Sequence, residues 1–259
     1  MDFREFQVMY QAEGRHWWYQ GLRAILFRRA GLDRPASRRW QILDAGCGTG
    51  GTLDALRRSG HLHAQGFDFN EPAIYFCRQR GLHNVRQGSI TDIPFPACEF
   101  DLVLSNDVLC DAGTSNEAQA LQEMYRVLKP GGRLFLNLPA YPYLRSEHDQ
   151  ATDVDRRYTM RTLRQKVEAA GFEVVRLSHW NATLFPIVLA VRLSRRKGQT
   201  RDKSVARSDI QVPPAPLNWV LAQLVKTEGR LMDRITIPFG SSVICLARKP
   251  ARPGSKQTT

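Results

Sequence analysis

The chain has 259 residues, 42% of them hydrophobic and 24% charged, with a net charge of +12. That composition excludes a disordered or collagen-like chain, and no apolar run reaches the ~18 residues of a membrane span. Five cysteines (Cys47, Cys77, Cys98, Cys110, Cys245) form no C-x-x-C pair. They therefore argue against a zinc site or disulfide framework and for free thiols in a reducing cytoplasm, with no metal expected.

Residues 1–40 are aromatic and basic, with His16-Trp17-Trp18-Tyr19 at their centre and no apolar leader. They read either as a cap over a site or as a core-packing helix. Arg23–Ala30 suits a helix, and Gly31 suits its end. From residue 41, strands and helices alternate. Strands are predicted at Gln41–Asp44, Ala64–Asp68, Asn84–Gln87, Asp101–Ser105 and Arg133–Leu138. Helices are predicted over Thr52–Ser59, from an Asn70 cap through Pro72 to Gly81, and over Asn116–Leu128. This alternation specifies an α/β fold, a doubly wound parallel sheet with helices on both faces. Ligands of such sheets bind at the carboxyl ends of the strands. Thr159 starts another helix and Gly171 ends it. Phe172–Leu177 is strand six and Ser241–Arg248 the last strand.

About sixty residues separate those two strands, far more than a turn needs, so 181–240 is a helical insertion. Asn181–Val191 carries no charge and is followed by Arg192, Arg195, Arg196 and Lys197. Leu217, Val220, Leu221, Leu224 and Leu231 share a helical face. The insertion is expected either to cap the substrate site and touch a membrane through 181–207, or to pack as a helical pair or dimer element. The division is then 1–40, 41–180 with 241–249, 181–240, and a disordered tail at 250–259, with disorder setting in from Lys249.

Ile42–Gly51, ILDAGCGTGG, is a strand running into alternate glycines. Glycine turns bring bare backbone to a ligand, and the next helix points its N–H groups at the same place. Gly46, Gly48 and Gly51 also satisfy G-x-G-x-x-G, with Asp68 twenty residues after Gly48. Asp44 beside the turn disfavours a pyrophosphate and welcomes an ammonium.

LDAGCGTG, GFDFN and EMYRVLKPGGRLFLNLP together resemble the class I S-adenosylmethionine-dependent methyltransferases over roughly residues 40–180 and Ser241–Arg248. The resemblance implies a Rossmann-like sheet of seven strands, the last antiparallel, and S-adenosylmethionine as cofactor. It further implies that Asp44 and the backbone of Gly46, Cys47, Gly48 and Gly50 hold the methionine end. Asp68 would hold the ribose, Phe69 would lie on adenine, and Ser89 and Ile90 would meet its edge. Asn106 would face the methionine portion. The chain also resembles a bacterial subgroup with an N-terminal His-Trp-Trp segment, S-E-H-D (146–149) and R-R-Y (156–158). It departs from that subgroup at Asp111 or its neighbour and at Val154, where relatives often carry His.

From these come candidate bases His148 and Asp107, with Asp149 orienting His148, and lid contacts at Tyr10 and Trp17. Each of the three candidate bases and orienters is also readable as a turn or cap residue. The expected reaction is methyl transfer to an oxygen or nitrogen of a small-molecule, natural-product or lipid-linked saccharide acceptor, in the cytoplasm or peripherally at the inner face of the membrane. The net charge keeps a nucleic-acid methyltransferase in view, but no base-flipping tetrapeptide follows strand four, so nucleic acid is disfavoured. A non-catalytic cofactor-binding scaffold is the other alternative.

Overall fold

The computed structural model describes residues 3–111, 113–114, 116–145, 149, 152–195 (side chains to 190) and 211–251. Its elements in chain order are α1 (Phe3–Ala12), α2 (Trp17–Ala30), β1 (Ile42–Ala45), α3 (Gly51–Arg58), β2 (Ala64–Asp68), α4 (Glu71–Gln79) and β3 (Val85–Gln87). There follow β4 (Phe100–Asn106), α5 (Glu117–Val127), β5 (Leu128–Pro139), α6 (Met160–Ala169), β6 (Glu173–Trp180), α7 (Phe185–Arg195), α8 (Ala215–Leu231) and β7 (Ser242–Arg248).

The seven strands form one sheet in the order β3-β2-β1-β4-β5-β7-β6. Pairing is parallel from β3 to β5, and β7 runs antiparallel to both β5 and β6. The chain therefore reverses direction across the sheet between β1 and β4. The crevice at their carboxyl ends is where such a sheet takes a ligand.

Period-two alternation sorts the strand residues between two cores. Leu43, Val103, Leu134 and Leu136 face α5 and α6. Ile42, Leu102, Leu104 and Phe135 face α2, α3, α4 and α8. No helix joins β3 to β4. Ile90, Ile93 and Phe95 instead tuck under α5, where Glu123 accepts from the Ile93 N–H at 2.9 Å and Arg126 donates to Phe95 O and Ile93 O. The EMYR stretch is thus a clamp on that connection.

Element ends differ from the sequence reading where side chains or tertiary contacts take over. Helix α2 starts at Trp17, not Arg23, because His16 Nδ1 accepts from the Trp18 N–H at 3.2 Å. Asn70 occupies the cap position of α4, but its side chain turns back to Asp68. Strands β5 and β6 run longer than expected, and both pair with β7 over most of their length. Lys249 does not begin a loose tail. Its ammonium donates to Tyr125 O and Leu128 O, each at 2.7 Å, in a buried position. The tail beyond Ala251 and the basic run beyond Arg195 lie outside the described residues. No described helix is long and apolar enough to cross a membrane.

The N-terminal segment and the insertion form one body. A Cβ on Gly21 of α2 would lie 2.3 Å from Val225 Cγ1, and one on Gly229 of α8 would lie 2.6 Å from Ile25 Cγ1. The two helices cross at glycines because only hydrogen fits between them. Asn218 caps the join, accepting from Trp17 N at 2.9 Å and donating to Arg15 O at 2.8 Å. Asp233 pairs with Arg28 and Arg29 at the far end. The face of α8 that packs carries Ala222, Val225 and Gly229. The predicted face is largely open: Leu217, Val220 and Leu231 are exposed. Overpacking this crossing with Gly21→Leu should cost about 2–3 kcal/mol, and a second substitution, Val225→Ala, should restore part of it because the two sites touch. Denaturant unfolding of the single and double variants measures both.

Candidate functional site at the carboxyl ends of β1 and β4

Gly46, Gly48 and Gly50 have φ of 81°, 52° and 85°, a left-handed run open to glycine at little cost. The turn is tied to β2, since the Gly46 and Cys47 N–H groups both donate to Phe67 O at 2.9 Å. Asp68 braces it from the other side. Its Oδ2 accepts from Gly48 N at 3.0 Å and its Oδ1 from Asn70 N at 2.9 Å. The Cys47 thiol points inward, 3.8 Å from that of Cys77, so only its backbone can serve a ligand. Asp44 is 2% exposed at the end of β1. Burial, with Glu13 and Asp68 nearby, pushes its carboxyl well above the usual range.

Glu13 was not foreseen. It follows α1 and is 5% exposed, with its carboxylate against Gly51 at the start of α3. It accepts from the Thr49 hydroxyl and pairs with Arg80 at 2.7 Å. Burial still raises its pKa against the pull of Arg80. The helix terminus that would receive a pyrophosphate is therefore held by the chain's own carboxylate. This removes the dinucleotide reading left open by G-x-G-x-x-G.

The aromatic segment contributes differently from the expected pair. Tyr10 packs on Phe76 at 5.0 Å and lies under the Arg80 guanidinium, while Arg80 donates to Thr49 O. It supports the glycine turn through Arg80. Trp17 is drawn to α8 by Asn218. Tyr19 packs its ring against His16 and Trp18, and burial raises its phenol.

At the end of β4, Asn106 Oδ1 is buried and has no hydrogen-bond partner among the described residues. Asp107 adopts φ 58° and donates its N–H to Asn137 O at 2.8 Å. Its Oδ2 accepts from Asn137 Nδ2 at 3.0 Å, and Trp180 Nε1 donates to Asn137 Oδ1 at 2.8 Å. Burial raises the Asp107 pKa to about 7, held down by Arg157 and by the Asn137 bond.

Asp149 is engaged by Arg157 in a buried two-pronged pair at 2.5 and 3.0 Å, and Arg157 also donates to Ala140 O. Arg156 donates to Asp111 O and Thr114 O, and Tyr158 to Leu109 O and Glu117. Arg156-Arg157-Tyr158 thus straps the loop after β4 to the loop after β5. Asp149 is part of that strap, and His148, which it was expected to orient, lies outside the described residues. Asp111 and Val154, the two departures from the subgroup pattern, face each other in an isolated antiparallel bridge. Of the adenine-side candidates, Ile90 is buried and Ser89 bonds Thr91. Phe69 stands 69% exposed.

Glu13, Asp44 and Asp68 gather three acidic groups at this crevice, and a cation placed among them would offset the burial that disfavours their charge. Asn106 adds an acceptor in need of a donor. Both features fit the ammonium and sulfonium of S-adenosylmethionine.

Comparison with known proteins agrees. Residues 43–136 match a family profile described as a methyltransferase domain. The chain is 34% identical over 135 residues to a methyltransferase of Encephalitozoon cuniculi, covering 51% of this chain and 56% of that one. It is 38% identical over 108 residues to a fatty-acid O-methyltransferase of Mycolicibacterium smegmatis, covering 39% and 38% of the two chains. It therefore spans less than two thirds of these relatives' lengths. Two solved structures share the fold. One is an S-adenosylmethionine-dependent methyltransferase of Thermotoga maritima (TM-score 0.57, 16% identity, 95% of each chain). The other is phosphoethanolamine N-methyltransferase 2 of Haemonchus contortus in complex with S-adenosyl-L-methionine (TM-score 0.56, 18% identity, 90% of this chain and 53% of that one).

The buried strap gives a direct test. Arg157→Met removes the two-pronged guanidinium from the buried Asp149 carboxylate and should cost about 3–5 kcal/mol. Thermal unfolding reads the loss, and Arg157→Lys should recover only part of it because an ammonium cannot reproduce the fork.

Proposed function

We propose a reaction for a chain that carries a class I S-adenosylmethionine-dependent methyltransferase domain: methyl transfer to an oxygen or nitrogen of a small-molecule, natural-product or lipid-linked saccharide acceptor, with Asp107 as the base. The observation that carries this reading is a half-buried carboxylate at the mouth of β4 with a pKa of about 7. Bound S-adenosylmethionine supplies an electrophilic methyl on a sulfonium.

The chain's residues do the rest. Asp44 and Asn106 would receive the ammonium, and Asp68, already set by Gly48 and Asn70, would accept from the ribose hydroxyls. The α1–α2 segment covers the crevice and keeps water from it. Asn137 holds Asp107 toward the acceptor, and Asp107 takes the proton from a hydroxyl or amine as the new bond forms. A hydroxyl or amine needs such a base near neutral pH, and an acid of ordinary pKa is too weak a base for it. Relatives whose names specify O-methylation, of a fatty acid and of malonyl-[acyl-carrier protein], support oxygen as the acceptor atom.

Two measurements test this. Calorimetry should detect S-adenosylhomocysteine and no heat with NAD. Asp68→Asn should weaken the former about tenfold or more, the scale of a charge-assisted bond. With an acceptor in hand, kcat/KM should rise as pH increases through about 7 and level off above it, because Asp107 works only when unprotonated. Asp107→Asn should remove that limb and slow turnover about 10²–10⁴-fold. An unchanged pH profile in Asp107→Asn would exclude it as the base.

A further inference from the structure

Glu13 lies outside the segments that carry the family resemblance, yet its carboxylate is set into the glycine turn. Its Oε1 is taken twice, by the Thr49 hydroxyl and by the Arg80 guanidinium at 2.7 Å. Its Oε2 lies against Gly51, 2.4 Å from where a Cβ would stand, and no described group donates to it. Arg80 also donates to Tyr10 O at 2.8 Å and to Thr49 O at 2.7 Å, and Arg23 donates to Glu13 O at 2.8 Å. These bonds hold the side chain between the N-terminal helices and the start of α3, with one oxygen left over.

On the strand side of the same turn, Asp44 accepts no hydrogen bond from any described side chain. Asp68 differs, since Gly48 and Asn70 already engage both of its oxygens. Burial pushes Glu13 and Asp44 up, and Glu13 and Asp68 push Asp44 further. Arg80 and Arg23 pull Glu13 the other way without cancelling its burial. The other titratable neighbours add no cation. Its bond to Cys77 and its burial raise the Cys47 thiol, and burial raises the Tyr19 phenol. Asp54 of α3 is paired with Arg57 and Arg58. An ammonium brings three N–H donors. Asp44 and Asn106 accept two of them, and Glu13 Oε2 offers a place for the third.

We propose that Glu13 is a cofactor-binding residue: its Oε2 joins Asp44 and Asn106 around the ammonium of S-adenosylmethionine, and one proton leaves the Glu13–Asp44 pair for solvent as the cofactor enters. The inference rests on the S-adenosylmethionine reading of the crevice. Only an O–H bond breaks, and the ammonium takes over the place of the departing proton between the carboxylates. The cofactor then favours the ionised pair. Affinity should rise with pH until the free pair has lost its proton and level off above that point. For one proton, the rise is about tenfold per pH unit.

The test is calorimetry of the full chain with S-adenosylhomocysteine, which keeps the ammonium and lacks the sulfonium. It is run in two buffers of different ionisation enthalpy, from about pH 5 to about pH 8, below the range where a free amine loses its proton. The heats should differ between buffers by the equivalent of one released proton on the rising limb, and affinity should climb with pH. Glu13→Gln keeps the length of the side chain and removes its charge. It should weaken binding about tenfold or more and move the rising limb to lower pH, because Asp44 no longer faces a second carboxylate. A packing role alone would leave the position of that limb unchanged. If Glu13→Gln fails to fold, the buffer comparison on the native chain decides. Equal heats in the two buffers with pH-independent affinity overturn the proposal and leave the cofactor reading standing. An unmoved limb in a folded Glu13→Gln also overturns it. Binding of neither S-adenosylhomocysteine nor S-adenosylmethionine overturns the cofactor reading, and this proposal with it.

Discussion

The indole N–H of Trp180 can only donate, and this fixes the polarity of the floor of the site. Asn137 must turn its carbonyl to Trp180 and its amide N–H to Asp107. Asp107 therefore meets a donor on one oxygen where burial disfavours its charge. Trp180 is itself fully buried and packs against Trp18 at 5.4 Å with the rings tilted by 36°. A line of contact thus runs from the N-terminal helix, through the end of β6 and the middle of the sheet, to the mouth of β4. A shift of α2 would reach Asp107 through three side chains without touching its backbone.

The same economy governs the cap. Its two halves come from opposite ends of the chain, and neither buries a sufficient face alone. Glycines let α2 and α8 approach closely, and Asn218, Asp233 and Lys226 hold the pair in register through side-chain bonds. Glu228 completes the insertion. Its carboxylate accepts from Ala182 N, Thr183 N and the Thr183 hydroxyl, satisfying the chain just before α7. The buried charge is tolerated because each donor is aimed at it.

What was readable in advance was local. Asp44, the glycines and Asp68 interact with neighbours in the strand–turn–helix unit, so their spacing carries their geometry. The seven strands and the antiparallel last strand came with the resemblance. The start of α2 at Trp17 was obscured, because the His16 cap that sets it is easily missed. Asn137 had left a signal, a lone amide in the apolar run LFLNLP. Glu13 left none, because Thr49, Gly51 and Arg80 meet it only after folding. On α8 the periodicity found the apolar residues but not the packed face, since close packing selected small side chains that hydrophobicity scales undervalue. Asp111 and Val154 were noted separately, and only the bridge between them shows that they occupy one place.

The union of α2 with α8 also sets an order of events during biosynthesis. Trp17 and Asn218 are separated by 201 positions, and Arg15 and Asn218 by 203. Contacts of such long range form late, after shorter loops have closed. The parallel strands and the glycine turn can assemble while α2 still lacks its partner. Only when α8 has emerged from the ribosome does the aromatic segment gain the surface that seats it. The growing chain would therefore pass through a stage with an open crevice and an unmatched α2, and a chaperone acting on this protein would have that helix as its handle.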